Sequence, residues 1–185
     1  MKREEGFTLT ELLLAMALGL VVAGVVMQGL IASGRSGERL ALQMRERTFQ
    51  RRTLALLRAE LAAAESWQVG AGTGAACPLA GRTAVVQLVV QGKPIVYSVG
   101  GAPSPIWRGT VLMRCGPAYG LAGELSTGAA QNRVMLDGLA TAPEGLQVLE
   151  EAPGLLRLRL KQQMPLRGGA VLPIGMEMGA KAPAN

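Results

Sequence analysis

The sequence predicts an α+β fold in which a long amino-terminal α-helix, membrane-embedded in its first half and amphipathic in its second, packs on an antiparallel β-sheet domain. Three observations lead there. An uncharged apolar run fills Leu12 to Ala32, a proline-free stretch rich in Leu, Ala, Arg, Glu and Gln continues to Trp67, and short alternating runs bounded by Gly or Pro follow. With 185 residues, 49 % of them apolar, and a net charge of +6, the chain can bury one core and carry one appendage. Histidine is absent and aromatics make up 3 % of the chain, which removes the commonest metal ligand and general base together. No catalytic residue, metal or cofactor is expected.

The apolar run is interrupted only by Gln28 and a few glycines. At about 1.5 Å per residue it covers about 31 Å, the thickness of a bilayer's hydrocarbon core. A cleaved secretory signal would be shorter and end in an A-x-A site, whereas Ser33-Gly34-Arg35 leads directly into more helix. Ala15, Gly19 and Ala23 stand four apart, a small-residue spacing that lets helices approach closely. In the next segment Leu54, Leu57, Leu61 and Ala64 form one helical face, while Arg51, Arg52, Arg58, Glu60 and Glu65 fall largely off it. The preceding "RSGERLALQMRERTFQRR" is more polar and is expected to stay partly solvated, with bending at Gly34 and Gly37.

"TAVVQLVVQ" (83–91) and "IVYSV" (95–99) read as a hairpin joined by a short glycine turn. "IWRGTVLMRC" (106–115) is a third strand with Gly109 as a bulge or break, and "NRVML" (132–136), "LQVLE" (146–150) and "LLRLRLK" (155–161) follow. The last alternates throughout, with Leu156, Leu158 and Leu160 on one face and Arg157, Arg159 and Lys161 on a wet one. From Gly168 the chain offers a weak strand, "AVLPIGMEM", and a mobile end. Cys77 and Cys115 match no zinc spacing and are either two buried thiols or one disulfide, according to compartment.

Thr8 and Glu11 fit the S/T-x-x-E capping box at the start of the apolar helix. A cap does not account for Gly6-Phe7 or the short charged leader before them. "GFTLTELL" resembles the type III signal of type IV prepilins and type II secretion pseudopilins, and the layout beyond it resembles the larger minor pilins. The resemblance implies that prepilin peptidase removes residues 1–6 by cutting between Gly6 and Phe7, and that Phe7 is then N-methylated. It implies 7–33 as the transmembrane and filament-core helix, 34–67 as its amphipathic continuation, and 68–185 as a β-rich pilin domain with a mobile tail. It also implies that Glu11 pairs in hydrocarbon with the Phe7 amine of a neighbouring subunit, because a lone carboxylate there is strongly unfavourable.

The function so implied is that of a minor pilin-like structural subunit assembled into or at the tip of a type IV pilus, with a pseudopilin of type II secretion as the alternative. Its partners are other pilin or pseudopilin subunits, prepilin peptidase, an inner-membrane assembly platform and the bilayer. Basic residues oppose the orientation that the signal implies, since only Lys2 and Arg3 precede the helix while Arg35, Arg39, Arg45, Arg47, Arg51 and Arg52 follow it. The cleavage signal is the better discriminator. It puts the amino terminus in the cytoplasm and the domain in the periplasm, where Cys77 and Cys115 can oxidise and close a loop worth roughly 4 kcal/mol in the chain-entropy model. Arg157, Arg159 and Lys161 could meet phosphates in a DNA-binding pilin, but the chain lacks a platform of aromatics for single strands. A membrane-anchored binding protein outside any filament would explain the helix and the domain but not Gly6-Phe7 with Glu11.

Overall fold

The uncharged run and the amphipathic segment form one helix, α1 (Leu9–Ala63), in a computed structural model that describes residues 8–70, 77–166 and 169–183, without the side chains of 32–36 and 38. The helix runs through Gly34 and Gly37 without a break. It ends at Ala63, short of the boundary expected at Trp67, because the chain turns at Ala64 and Glu65 to enter a strand. By its contacts the chain divides into a unit up to Gln43 and a unit from Met44 onward. In the first, Leu9–Ile31 has a mean hydropathy of 2.3 over 23 residues and is uncovered, so it is long and apolar enough to cross a membrane.

In the second unit, α1 buries one face. Leu54, Leu57 and Leu61 are fully covered, as the periodicity predicts, but Glu46, Gln50, Thr53 and Glu60 lie on the same stripe and are buried as well. Glu60 is therefore not an off-face residue, while the polar segment is partly solvated as expected, with Arg47, Arg51 and Arg52 exposed and Glu46 and Gln50 buried. Glu60 is buried because facing residues supply partners for it.

Eight antiparallel strands make the sheet: β1 (Ser66–Val69), β2 (Thr83–Val90), β3 (Lys93–Gly101), β4 (Thr110–Gly116), β5 (Gln131–Leu139), β6 (Leu146–Ala152), β7 (Leu155–Pro165) and β8 (Val171–Lys181). β1 to β5 pair in chain order, β7 follows β5, and β6 and β8 lie on opposite edges of β7. The β2–β3 turn is Gln91-Gly92, with φ of 52° and 69°, the positive pair that a two-residue type I′ hairpin requires. β4 begins only after Gly109, which therefore acts as the break.

Leu156, Leu158 and Leu160 of β7 enter the core with Val86, Leu88 and Ile95, while Arg157 and Arg159 stay partly open and Lys161 exposed. β8 pairs with β7 from Val171 to Lys181, so the segment expected to be a weak strand is held by a full ladder. Trp67 Nε1 also donates to the Pro183 carbonyl at 2.9 Å, which fixes the chain beyond the strand. On the sheet face away from α1, Cys77 and Cys115 form a disulfide with Cα atoms 5.7 Å apart, packed with Ala84 and Val96.

Candidate functional site

The amino-terminal helix starts on Thr8. Its backbone N–H donates to Glu11 Oε2 at 3.0 Å, its hydroxyl donates to the same oxygen at 2.9 Å, and the Glu11 N–H reaches Thr8 Oγ1 at 3.4 Å. The capping box that the spacing predicts is formed, and Glu11 satisfies donors that a helix start leaves free. Nothing from the rest of the described chain covers this turn or the apolar helix behind it. A Cβ added at Gly19 would meet no atom within 4 Å, so no packing among the described residues requires a glycine there. Gly6 and Phe7 lie outside the described residues.

Residues 1–27 match the family model described as the prokaryotic N-terminal methylation motif. The chain carries a prepilin-type signal. The matched motif ends within the apolar helix. Searches of curated proteins and of solved structures found no match to the chain. The motif takes in Gly6, Phe7, Glu11, Ala15, Gly19 and Ala23.

The sequence-predicted cations of β7 are brought onto one face, but each has a carboxylate beside it. Arg157 pairs with Glu151, Arg159 Nε reaches Glu177 at 2.8 Å, and Lys161 Nζ reaches Glu144 at 3.3 Å. Such exposed pairs add little stability, yet they cancel the field that a phosphate would need.

Sequence reasoning missed the charge clusters between α1 and the sheet. Glu60, 1 % exposed, accepts from Tyr97 Oη at 2.5 Å, Tyr119 Oη at 2.8 Å and Arg114 Nε at 2.8 Å, and pairs with Arg114 Nη2 at 2.7 Å. Burial and then the Glu60 charge push the Tyr97 hydroxyl well above the usual tyrosine range and that of Tyr119 up to about 12. Burial by itself would lower the Arg114 guanidinium, but Glu60 outweighs it and holds Arg114 firmly charged. Three fixed donors hold the Glu60 carboxylate in place. Toward the earlier part of the same stripe, Gln50 Nε2 donates to Gln162 Oε1 at 2.6 Å, and Arg108 bridges Asp137 at 2.9 Å and Glu46 at 3.2 Å. No cluster of metal-ligating side chains occurs among the described residues.

Asp137 is expected to make the domain acid-sensitive. Burial would raise its carboxyl, but the Arg108 hydrogen bonds and charge outweigh that and lower it below 3.8. A lowered folded-state value means that this stabilisation is whole above the unfolded value near pH 4 and is lost as pH falls through the folded one. The gap in urea midpoint between wild type and Asp137→Asn is thus expected to be constant from about pH 7 to about pH 5 and to narrow below about pH 4. A gap that stays constant into the acid range would remove Asp137 from this role.

Proposed function

We propose that the chain is a minor pilin-like subunit, cut by prepilin peptidase between Gly6 and Phe7, N-methylated on Phe7, and assembled into or at the tip of a type IV pilus. The observation that carries this reading is the methylation motif over residues 1–27, continued by an apolar helix that nothing in the described chain covers. An uncovered helix of that hydropathy needs lipid before assembly and other helices afterwards. Residues 7–33 then serve as the membrane and filament-core segment, and the β-rich domain lies in the periplasm. The Cys77–Cys115 disulfide supports that side of the membrane, because disulfides persist in oxidising compartments. The reading assigns no chemistry to the domain. Neutralised cations on β7 favour a structural subunit over a DNA-binding one.

Mass spectrometry of the protein from a strain with active prepilin peptidase tests the reading directly. The mature chain is expected to begin at N-methyl-Phe7, and an intact Met1 in filaments or membranes would overturn the assignment. The same preparations separate the two roles of Glu11. A glutamine also serves in a capping box, so Glu11→Gln leaves a purely capping role intact, whereas pairing with a neighbour's amine requires the charge. Pairing predicts that both Glu11→Gln and Glu11→Lys are cleaved and inserted, and that the filament fraction falls in the order wild type, Gln, Lys. Equal fractions would leave only the cap.

A further inference from the structure

We propose that the solvent face of α1 between Arg45 and Ala62 is a docking surface for an acidic helix of a different protein subunit. The inference rests on the filament reading and names the chemistry that a neighbour of another sequence must supply.

From Met44 to Ala63, α1 carries five arginines and two glutamates. Both glutamates face inward, Glu46 onto Arg108 and Glu60 onto Arg114. Arg45, Arg47, Arg51, Arg52 and Arg58 are all exposed, and none of them makes an ion pair among the described residues. No carboxylate shares their side of this stretch. The next one along the chain, Glu65, accepts from the Gly92 N–H at 3.1 Å. Elsewhere the same chain neutralises its exposed cations, since Arg157, Arg159 and Lys161 of β7 each have a carboxylate beside them. On α1 the charge stays uncompensated, and Arg47 and Arg51, four residues apart, repel each other.

The arginines stand in two rows. Arg45 and Arg52 run along one side of the outer face, and Arg47, Arg51 and Arg58 along the other. Between the rows Thr48, Ala55, Ala59 and Ala62 recur at steps of seven, four and three, all exposed, and form a ridge. At 1.5 Å per residue that ridge is about 21 Å long. Side-chain size at the contact sets how closely two helices pack, so a helix laid on this ridge comes near and carries its own flanking residues over both rows. Charged rows beside such a seam choose the partner by opposite charge. The complement is a helix with Asp or Glu on both sides of its contact face.

The same charges exclude a second copy. Two copies of this face would set arginine against arginine in either direction, with no carboxylate on it to relieve the repulsion. A face that rejects its own copy suits a minor subunit, whose neighbours are other chains. Phosphates of lipid or nucleic acid also attract arginine, but neither makes use of a narrow ridge of small residues between two charged rows.

Photo-cross-linking in a strain that assembles the filament tests this, with p-benzoylphenylalanine in place of Ala55 and the adduct sequenced by mass spectrometry. The adduct is expected to be a helical segment of another chain, with Asp or Glu recurring at three-, four- or seven-residue steps. Arg51→Gln with Arg58→Gln should lower its yield severalfold, whereas Arg51→Lys with Arg58→Lys keeps the charge and should keep most of the yield. The urea midpoint of the domain should be the same in both variants as in the wild type, because exposed arginines without partners hold nothing inside the fold. A shifted midpoint in the Gln variant, an unchanged yield in it, or an adduct to a second copy, to phospholipid or to nucleic acid would each overturn the proposal. A chain cut at Gly6–Phe7 but giving no adduct overturns this contact and leaves the filament reading standing, whereas an uncut chain with no adduct fails both.

Discussion

Glu60→Ala is expected to destabilise the domain by about 3–5 kcal/mol, the range for breaking a buried ion pair from one side. The substitution removes a carboxylate that accepts from Arg114, Tyr97 and Tyr119, and it leaves a guanidinium 5 % exposed with no counter-charge at that position. Tyr97, fully buried, also loses the acceptor for its hydroxyl. Replacing both charges, as Glu60→Met with Arg114→Met, should cost markedly less than Glu60→Ala, because nothing charged is then left dry. Urea unfolding of the mature chain in detergent, followed by circular dichroism of the sheet, compares the three. A loss below about 1 kcal/mol for Glu60→Ala would mean that the site is more open than its geometry indicates. The wild type has a second signature at the alkaline side. Tyrosines raised above their unfolded value near 10 keep their full stabilisation below it and lose it as pH rises toward the folded values, so stability should fall between about pH 10 and about pH 12.

Loss of the Cys77–Cys115 bond should cost about 4 kcal/mol, from the entropy of a closed loop with a sequence separation of 38. The buried cluster there is Cys77, Ala84, Val96 and Cys115, with Leu79 and Ala130 beside it, and its packing is small next to the core under α1. Cys77→Ser with Cys115→Ser is therefore expected to lower the urea midpoint by an amount that reductant reproduces in the wild type. A non-reducing digest should recover the two cysteines in one linked peptide. An unchanged midpoint on reduction would show that packing alone holds the segment.

The two perturbations differ in how far each could be foreseen. Cys77 and Cys115 were visible as a pair, although composition left thiols and disulfide equally open until a compartment was implied. Glu60 was visible only as a residue beside an apolar stripe. Its burial depends on Arg114, Tyr97 and Tyr119, which lie on strands and a loop that helical periodicity does not register. β1 was missed because "SWQV" is four residues long with Trp67 alone buried, too short to show alternation. β8 was underrated since its Gly and Pro weaken its own propensity, and only the register with β7 holds it.

By itself, the sequence determined what is local: the apolar length and methylation motif of the amino terminus, the capping box of Thr8 and Glu11, the Leu54–Ala64 stripe, a hairpin of β2 and β3 with a glycine in its turn, and the alternation of β7. Each rests on interactions within a few residues of chain or on the period of one element. Tertiary structure alone decided which polar groups could be buried and which cations were already neutralised. Those outcomes depend on pairs far apart in sequence, such as Glu60 with Arg114 and Gln50 with Gln162. A buried charge is tolerated only where a distant strand delivers its partner, and no local pattern encodes that delivery.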